Sequence, residues 1–423
     1  MKYLPHSLLL FLSLNMLSLN TYAISETGDV DLLKTNIINM VESEFTRLSV
    51  PGVSVAVVLD SGDEITAFKG TANTETKEEL NEDHQFRLAS VSKHLTAIML
   101  MLLQEQGDIA LDDKIINHVD LPDFPNRDII TIRQLMNHTA GVYDHVNSPN
   151  DYFSIALSEP NRVWTPEEVL NYTVQAGADF QPGAAYSYSN TGYYILGLLI
   201  EAVTEQTFAE AFNDLLVNPL SLTGIFADDY SDTNTPIEMF AANNRAYEYH
   251  KSSIGAAGNF VAKPLALAKL GQQVYAGNFI SDESEAAMST GSDLNNAYGL
   301  GSRLWSLQNI FHFGHTGTLG GYKSIYMYIP EYEVSIAVIV NGYPAVSDNW
   351  WHFLDEVMLE VVSYYKGTLE TGGESTDETP TEEPVEDEDD NEEDDKDSGG
   401  STSLLLLLIS SVAVLLRRRK TLN

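Results

Sequence analysis

Ser90-Val91-Ser92-Lys93 sets a hydroxyl and an amine three residues apart, where the strand-like Phe86-Arg87-Leu88-Ala89 gives way to the apolar helical run Leu95–Leu103. Serine at the start of a helix has free backbone N–H groups nearby to receive an oxyanion, and a lysine one turn on shares its face. An apolar setting would draw the lysine pKa toward neutrality, so that its amine could take the serine proton. The spacing alone is weak, since a chain of this length contains about one Ser-x-x-Lys by chance. Ser363-Tyr364-Tyr365-Lys366 is such a repeat; it ends a helix beside an acidic segment and is expected to be plain surface.

Tyr188-Ser189-Asn190 follows Gln181-Pro182-Gly183 and precedes the helical Thr191–Val203. Across an extended residue, positions i and i+2 face the same way, so a phenol that relays protons and an amide that orients a substrate can share one cleft. With 21 tyrosines in the chain, the motif decides nothing alone. His315-Thr316-Gly317-Thr318 lies in a strand pattern and again pairs i with i+2. Glycine there would let a substrate backbone approach, and strand N–H groups could complete an oxyanion hole. His138-Thr139-Ala140-Gly141 looks similar but follows the helical Ile132-Arg133-Gln134-Leu135-Met136, so it reads as a helix end and turn with a structural role.

These motifs need a frame. Residues 30–48 read as an amphipathic helix, and Val53–Leu59 followed by Ile65–Phe68 as a strand hairpin. Helical patterns dominate from Ser90 to about 275, including one opened by Thr165-Pro166-Glu167-Glu168, which supplies an N-cap, a first-turn proline and early acids. Strand character returns at 310–316, 322–328 and 334–340, before a last helix over 348–366. The simplest architecture is α+β: an antiparallel sheet made by both chain ends, helices packed on it, and a mostly helical region inserted between.

The 423 residues divide into a signal-like 1–23, a folded body 24–367, a linker 368–398 and a tail 399–423. Met1-Lys2, the apolar Leu8–Leu12 and the small Ala23 predict a cleaved secretory signal. Residues 370–397 are rich in Thr, Glu and Asp and cannot offset the entropy of ordering; stretched out, at ~3.3 Å per residue, they would reach on the order of 100 Å. Gly399-Gly400, the apolar run 403–416 and Arg417-Arg418-Arg419-Lys420 complete the chain, the run being shorter than a standard span. The net charge of -38 argues against nucleic-acid partners. Zero cysteines exclude disulfides, thiolate metal sites and a cysteine nucleophile. His312 and His315, three apart, predict no metal site, and no cofactor is expected.

The three motifs, with Pro51–Ala56, Phe86–Ser90, Leu135–Gly141 and Tyr188–Tyr193 around them, resemble the serine β-lactamases and penicillin-binding proteins, in particular the class C branch. The resemblance implies a β-lactamase/transpeptidase-like fold and an acyl-enzyme on Ser90. Lys93 and Tyr188 would share the general-base and general-acid work, the N–H groups of Ser90 and Thr318 would form the oxyanion hole, and Asn190 would hold the substrate amide. Such families usually carry lysine where this chain has His315. The missing cation weakens recognition of a carboxylate and argues against efficient penicillin hydrolysis. Family members with histidine there include D-amino-acid peptidases and esterases, so the expectation is an exported hydrolase of an ester or a D-amino-acid peptide. Its rivals are a true β-lactamase or DD-carboxypeptidase, and a non-catalytic surface binding protein of the same fold. The tail resembles a Gram-negative Gly-Gly sorting signal, which implies an intramembrane protease of rhomboid type as partner, and surface display or release.

Overall fold

Gly52–Val58 is small or apolar at every position, and every one of its residues is buried. A strand covered on both faces must lie inside its sheet. In the computed structural model, residues 28–228, 240–241, 244–245, 249–343 and 350–368 are described. The expected signal over 1–23, the linker beyond Thr368 and the tail 399–423 lie outside them. Among the described residues no helix is long and apolar enough to cross a membrane.

In chain order come α1 (Val30–Leu48), β1 (Gly52–Val58), β2 (Glu64–Asn73), β3 (Glu78–Glu79) and β4 (Phe86–Arg87). The middle contains α2 (Val91–Gln106), α3 (Ile132–Met136), α4 (Tyr152–Ser158), α5 (Pro166–Ala176), α6 (Asn190–Thr204) and α7 (Phe208–Phe212). Short strands β5 (Ile225–Ala227), β6 (Phe240–Ala241), β7 (Asn244–Arg245) and β8 (Phe260–Ala262) precede α8 (Pro264–Gly271) and α9 (Asp282–Met288). The chain closes with β9 (Arg303–Leu307), β10 (Ile310–Leu319), β11 (Tyr322–Ile329), β12 (Val334–Val340) and α10 (Trp350–Lys366).

The main sheet has the order β3-β2-β1-β12-β11-β10-β9, and β1 pairs antiparallel with β12 in the register Val55↔Val338. Both chain ends therefore build one sheet around an inserted helical region, as the α+β pattern predicts. Alternation along β1 sorts its residues: Val53, Val55 and Val57 join the core of α1 and α10, while Ala56 and Val58 join the core that holds α8 and α2. Helix α2 is buried continuously from Val91 to Leu103, so it forms the centre of the larger core. It stops at Gly107 (φ 83), whose N–H donates to Gln104 O while that of Asp108 donates to Leu103 O, a Schellman ending. Helix α5 starts with the anticipated capping box of Thr165 and Glu168.

Short strands that were not expected appear both inside the helical middle, where β6 also pairs with β7, and after it. Strands β4, β8 and β5 form a small separate sheet, joined through Arg87↔Val261 and Phe226↔Val261. Two- or three-residue strands are too short for alternation to register. Strand β9 was likewise not expected, because Arg303–Leu307 mixes charged, polar and apolar residues and is mostly half-buried.

Candidate active site

The small sheet sets the start of α2. Leu88 N–H donates to Phe260 O (2.9 Å), and Phe260 N–H donates to Ser92 Oγ (3.1 Å), which fixes the turn on both sides. Between them Ala89 is forced to φ 47, a conformation that costs a non-glycine residue roughly 1–2 kcal/mol. Ser90 then stands at the N-cap position of α2, half-buried and without a side-chain capping bond, and its N–H has no acceptor among the described residues.

Lys93, one turn on, is wholly buried, with Nζ 3.0 Å from Ser90 Oγ, 2.7 Å from Asn190 Oδ1 and 3.0 Å from Ala257 O. Burial draws its pKa down from 10.5 to about 7; Asp144 opposes the fall and Arg303 adds to it. The expected serine–amine pair is therefore present in the expected setting. By contrast, Ser363 and Lys366 end α10 on the other side of the sheet, with Lys366 exposed.

Ser189 is extended (φ -142, ψ 121) and caps α6, so Tyr188 and Asn190 both turn toward Lys93. The Tyr188 ring centre lies 4.8 Å from Lys93 Nζ. Burial raises the Tyr188 pKa above the ordinary range, against a smaller lowering by the neighbouring Ser90 side chain. Asn190, expected to hold a substrate amide, is also tied into the protein. Its carbonyl accepts from Lys93, and its Nδ2 donates to Asp144 at 2.9 and 3.3 Å, so both ends of the amide are engaged within the protein.

His315 is also wholly buried, and burial holds its pKa well below the ordinary 6.5. Nδ1 lies 2.6 Å from Thr316 O, which can only accept, so Nδ1 carries the proton and Nε2 accepts from the Tyr298 hydroxyl at 2.9 Å. It supplies no cation, in keeping with the sequence reading. His312 stands apart, stacked on Trp305 at 5.7 Å.

Gly317 was expected to make room for a substrate. Instead, a Cβ there would stand 2.2 Å from Leu88 O and 2.4 Å from Ser324 Oγ, so its missing side chain lets β10 press against the turn before Ser90. Thr318, next along, is exposed. Strand β9 pairs with β10 only as far as Gly314↔Arg303, which leaves one edge of His315–Leu319 without a strand partner among the described residues.

Three residues join the site that motif reading did not assign to it. His138 does sit in a turn (φ 60), but its Nδ1 also accepts from Ser189 N–H at 3.1 Å and its ring lies 4.3 Å from that of Tyr188. The resemblance over Leu135–Gly141 was the available signal. Asp144, buried behind Asn190, follows that same segment. Arg303 is half-buried, with an Nε that has no partner and no carboxylate bound to it among the described residues. Its charge lowers the pKa values of Lys93, Tyr188 and His315. Nothing in Arg303-Leu304-Trp305 marks it in sequence.

Residues 37–357 match the family described as Beta-lactamase. Penicillin-binding protein 4* of Bacillus subtilis is 26% identical over 302 residues, 64% of this chain, and the chain spans 64% of that relative's length. Penicillin-binding protein 4 of Amycolatopsis lactamdurans is 26% identical over 339 residues, covering 71% of this chain and 84% of its own. Among solved structures, the D-amino acid amidase of Ochrobactrum anthropi complexed with D-phenylalanine superposes with a TM-score of 0.68 at 22% identity, over 80% of this chain and 99% of that one. This last likeness is one of fold.

Proposed function

The chain belongs to the Beta-lactamase family, and from that premise we propose that it is a serine hydrolase transferring an acyl group to water through an ester on Ser90. The observation that carries the reading is the 3.0 Å approach of a buried Lys93 amine to the Ser90 hydroxyl. A neutral amine has two N–H groups and one lone pair. Asn190 Oδ1 and Ala257 O can only accept, so they take the two N–H groups and leave the lone pair facing Ser90 Oγ. As Oγ bonds to the substrate carbonyl carbon, its proton passes to that lone pair. The carbonyl electron pair moves onto oxygen, between the N–H groups of Ser90 and Thr318. Tyr188, kept protonated by burial and with its ring beside Lys93, gives a proton to the departing amine or alkoxide and regains one from Lys93. Water then attacks the ester by the same steps in reverse.

The substrate class we propose is an ester or a D-amino-acid peptide or amide. The name of one structural neighbour, D-amino acid amidase, falls within it. Arg303 favours substrates that carry a carboxylate, because it is a cation that His315 does not provide and no carboxylate is bound to it among the described residues. Chromogenic esters and D-amino-acid anilides, with and without a free carboxylate, test this. Turnover abolished by Ser90→Ala supports it, whereas turnover untouched by that change, or none on any substrate, refutes it. The accompanying proposal of export to the periplasm or cell surface rests on the sequence of the chain ends; N-terminal mass analysis after expression in a Gram-negative host checks it.

A further inference from the structure

Asp144 lies in the turn that follows α3, 5% exposed. Its carboxylate accepts from Val146 N–H (2.9 Å), Asn147 Nδ2 (3.0 Å) and Asn190 Nδ2 (2.9 and 3.3 Å). Among the described residues no lysine or arginine forms an ion pair with it, so a buried negative charge is held by neutral donors alone. On the far side of Asn190 stands the buried Lys93.

A carboxylate can only accept, so it dictates which end of the Asn190 amide faces it. The NH2 end turns to Asp144 and the carbonyl to Lys93. A flipped amide would set two acceptors against each other on one side and crowd donors around Lys93 on the other. We propose that Asp144 is a positioning residue that locks Asn190 with its carbonyl on Lys93 and supplies the counter-charge with which the buried amine takes up the Ser90 proton. This rests on the reading of Lys93 as the base, and adds what makes that base workable.

Protonating an amine inside a protein carries a desolvation cost that a nearby anion offsets. The other groups facing Lys93 supply none. Ser90, Asn190 and the Ala257 carbonyl are neutral, and the rings of Tyr188 and Tyr193 stand 4.8 and 5.7 Å away. His138 is held in its neutral form by burial, as is His145 beside Asp144, and Arg303 is a cation. Asp144 alone among these opposes the lowering of the Lys93 pKa.

The test is NMR titration of 13C,15N-labelled lysine in the full chain, wild type against Asp144→Asn, which keeps the shape and removes the charge. The Lys93 midpoint is expected to fall by about one unit, and the acidic limb of kcat/KM to move down with it. An unmoved Lys93 midpoint in folded variant overturns the proposal. Should Asp144→Asn fail to fold, the wild-type Asp144 carboxyl carbon decides: a second inflection at the Lys93 midpoint supports the coupling, and its absence overturns it. Neither NMR readout requires turnover, so a failure here is distinct from a failure of Ser90 to react.

Discussion

Lys93 Nζ stands 3.0 Å from Ser90 Oγ, and its two other polar neighbours are oxygens that can only accept. An ammonium would satisfy all three contacts, but burial disfavours it; a neutral amine satisfies two and keeps its lone pair for the serine proton. The site thus balances the two forms near neutrality, which is where a general base is most effective.

That balance predicts a pH profile. The active form has Lys93 deprotonated, so kcat/KM should rise with a midpoint near the Lys93 value of about 7. Burial keeps Tyr188 protonated beyond the ordinary tyrosine range, so no fall should set in below about pH 10. Rates on a chromogenic ester across this range check both limbs.

Removing the amine should stabilise the fold while ending catalysis. Lys93 has a folded pKa of about 7 against 10.5 in a model peptide, so between those values the unfolded chain binds more protons and stability rises with pH. Its burial therefore costs most at and below neutrality, on the order of 4 kcal/mol. Lys93→Met should unfold at higher denaturant than wild type at pH 7, with the gap closing toward about pH 10.5, and its acylation rate should fall roughly 10²- to 10⁴-fold. Denaturation series at several pH values provide the measurement.

Gly317→Ala should move the strand away from the nucleophile. The added methyl meets the Leu88 backbone, which cannot swing aside as a flexible side chain can. A loss of roughly 1–3 kcal/mol in stability and of about 100-fold in acylation rate is expected. Gly314 would not serve as a control, since a Cβ there meets Tyr326 O at 2.0 Å.

Arg303→Gln should separate substrates by charge. KM for a carboxylate-bearing D-peptide should rise roughly 10- to 100-fold, while KM for an uncharged ester should change little. Equal losses on both would remove Arg303 from substrate recognition.

The frame of this site was readable because its signals are long. Seven consecutive small or apolar residues in β1, and the buried run Val91–Leu103 in α2, leave few alternatives. Ser90, Lys93, Tyr188 and Asn190 were legible as motifs, and the structure brings them together. What escaped were features set by tertiary contact. Asp144 acts through a residue 46 positions away, Arg303 reaches the site only because β9 pairs beside Gly314, and the two- and three-residue strands that pin Leu88 exist only through Phe260 and Val261. The role of Gly317 could be guessed as space, but not that Leu88 fills it.

Intact-mass analysis of the folded domain after exposure to a fluorophosphonate tests the central claim most directly. One adduct, mapped to Ser90 and absent from Ser90→Ala, is the predicted result. Folded protein that stays unmodified, or an adduct carried by another residue, would contradict it.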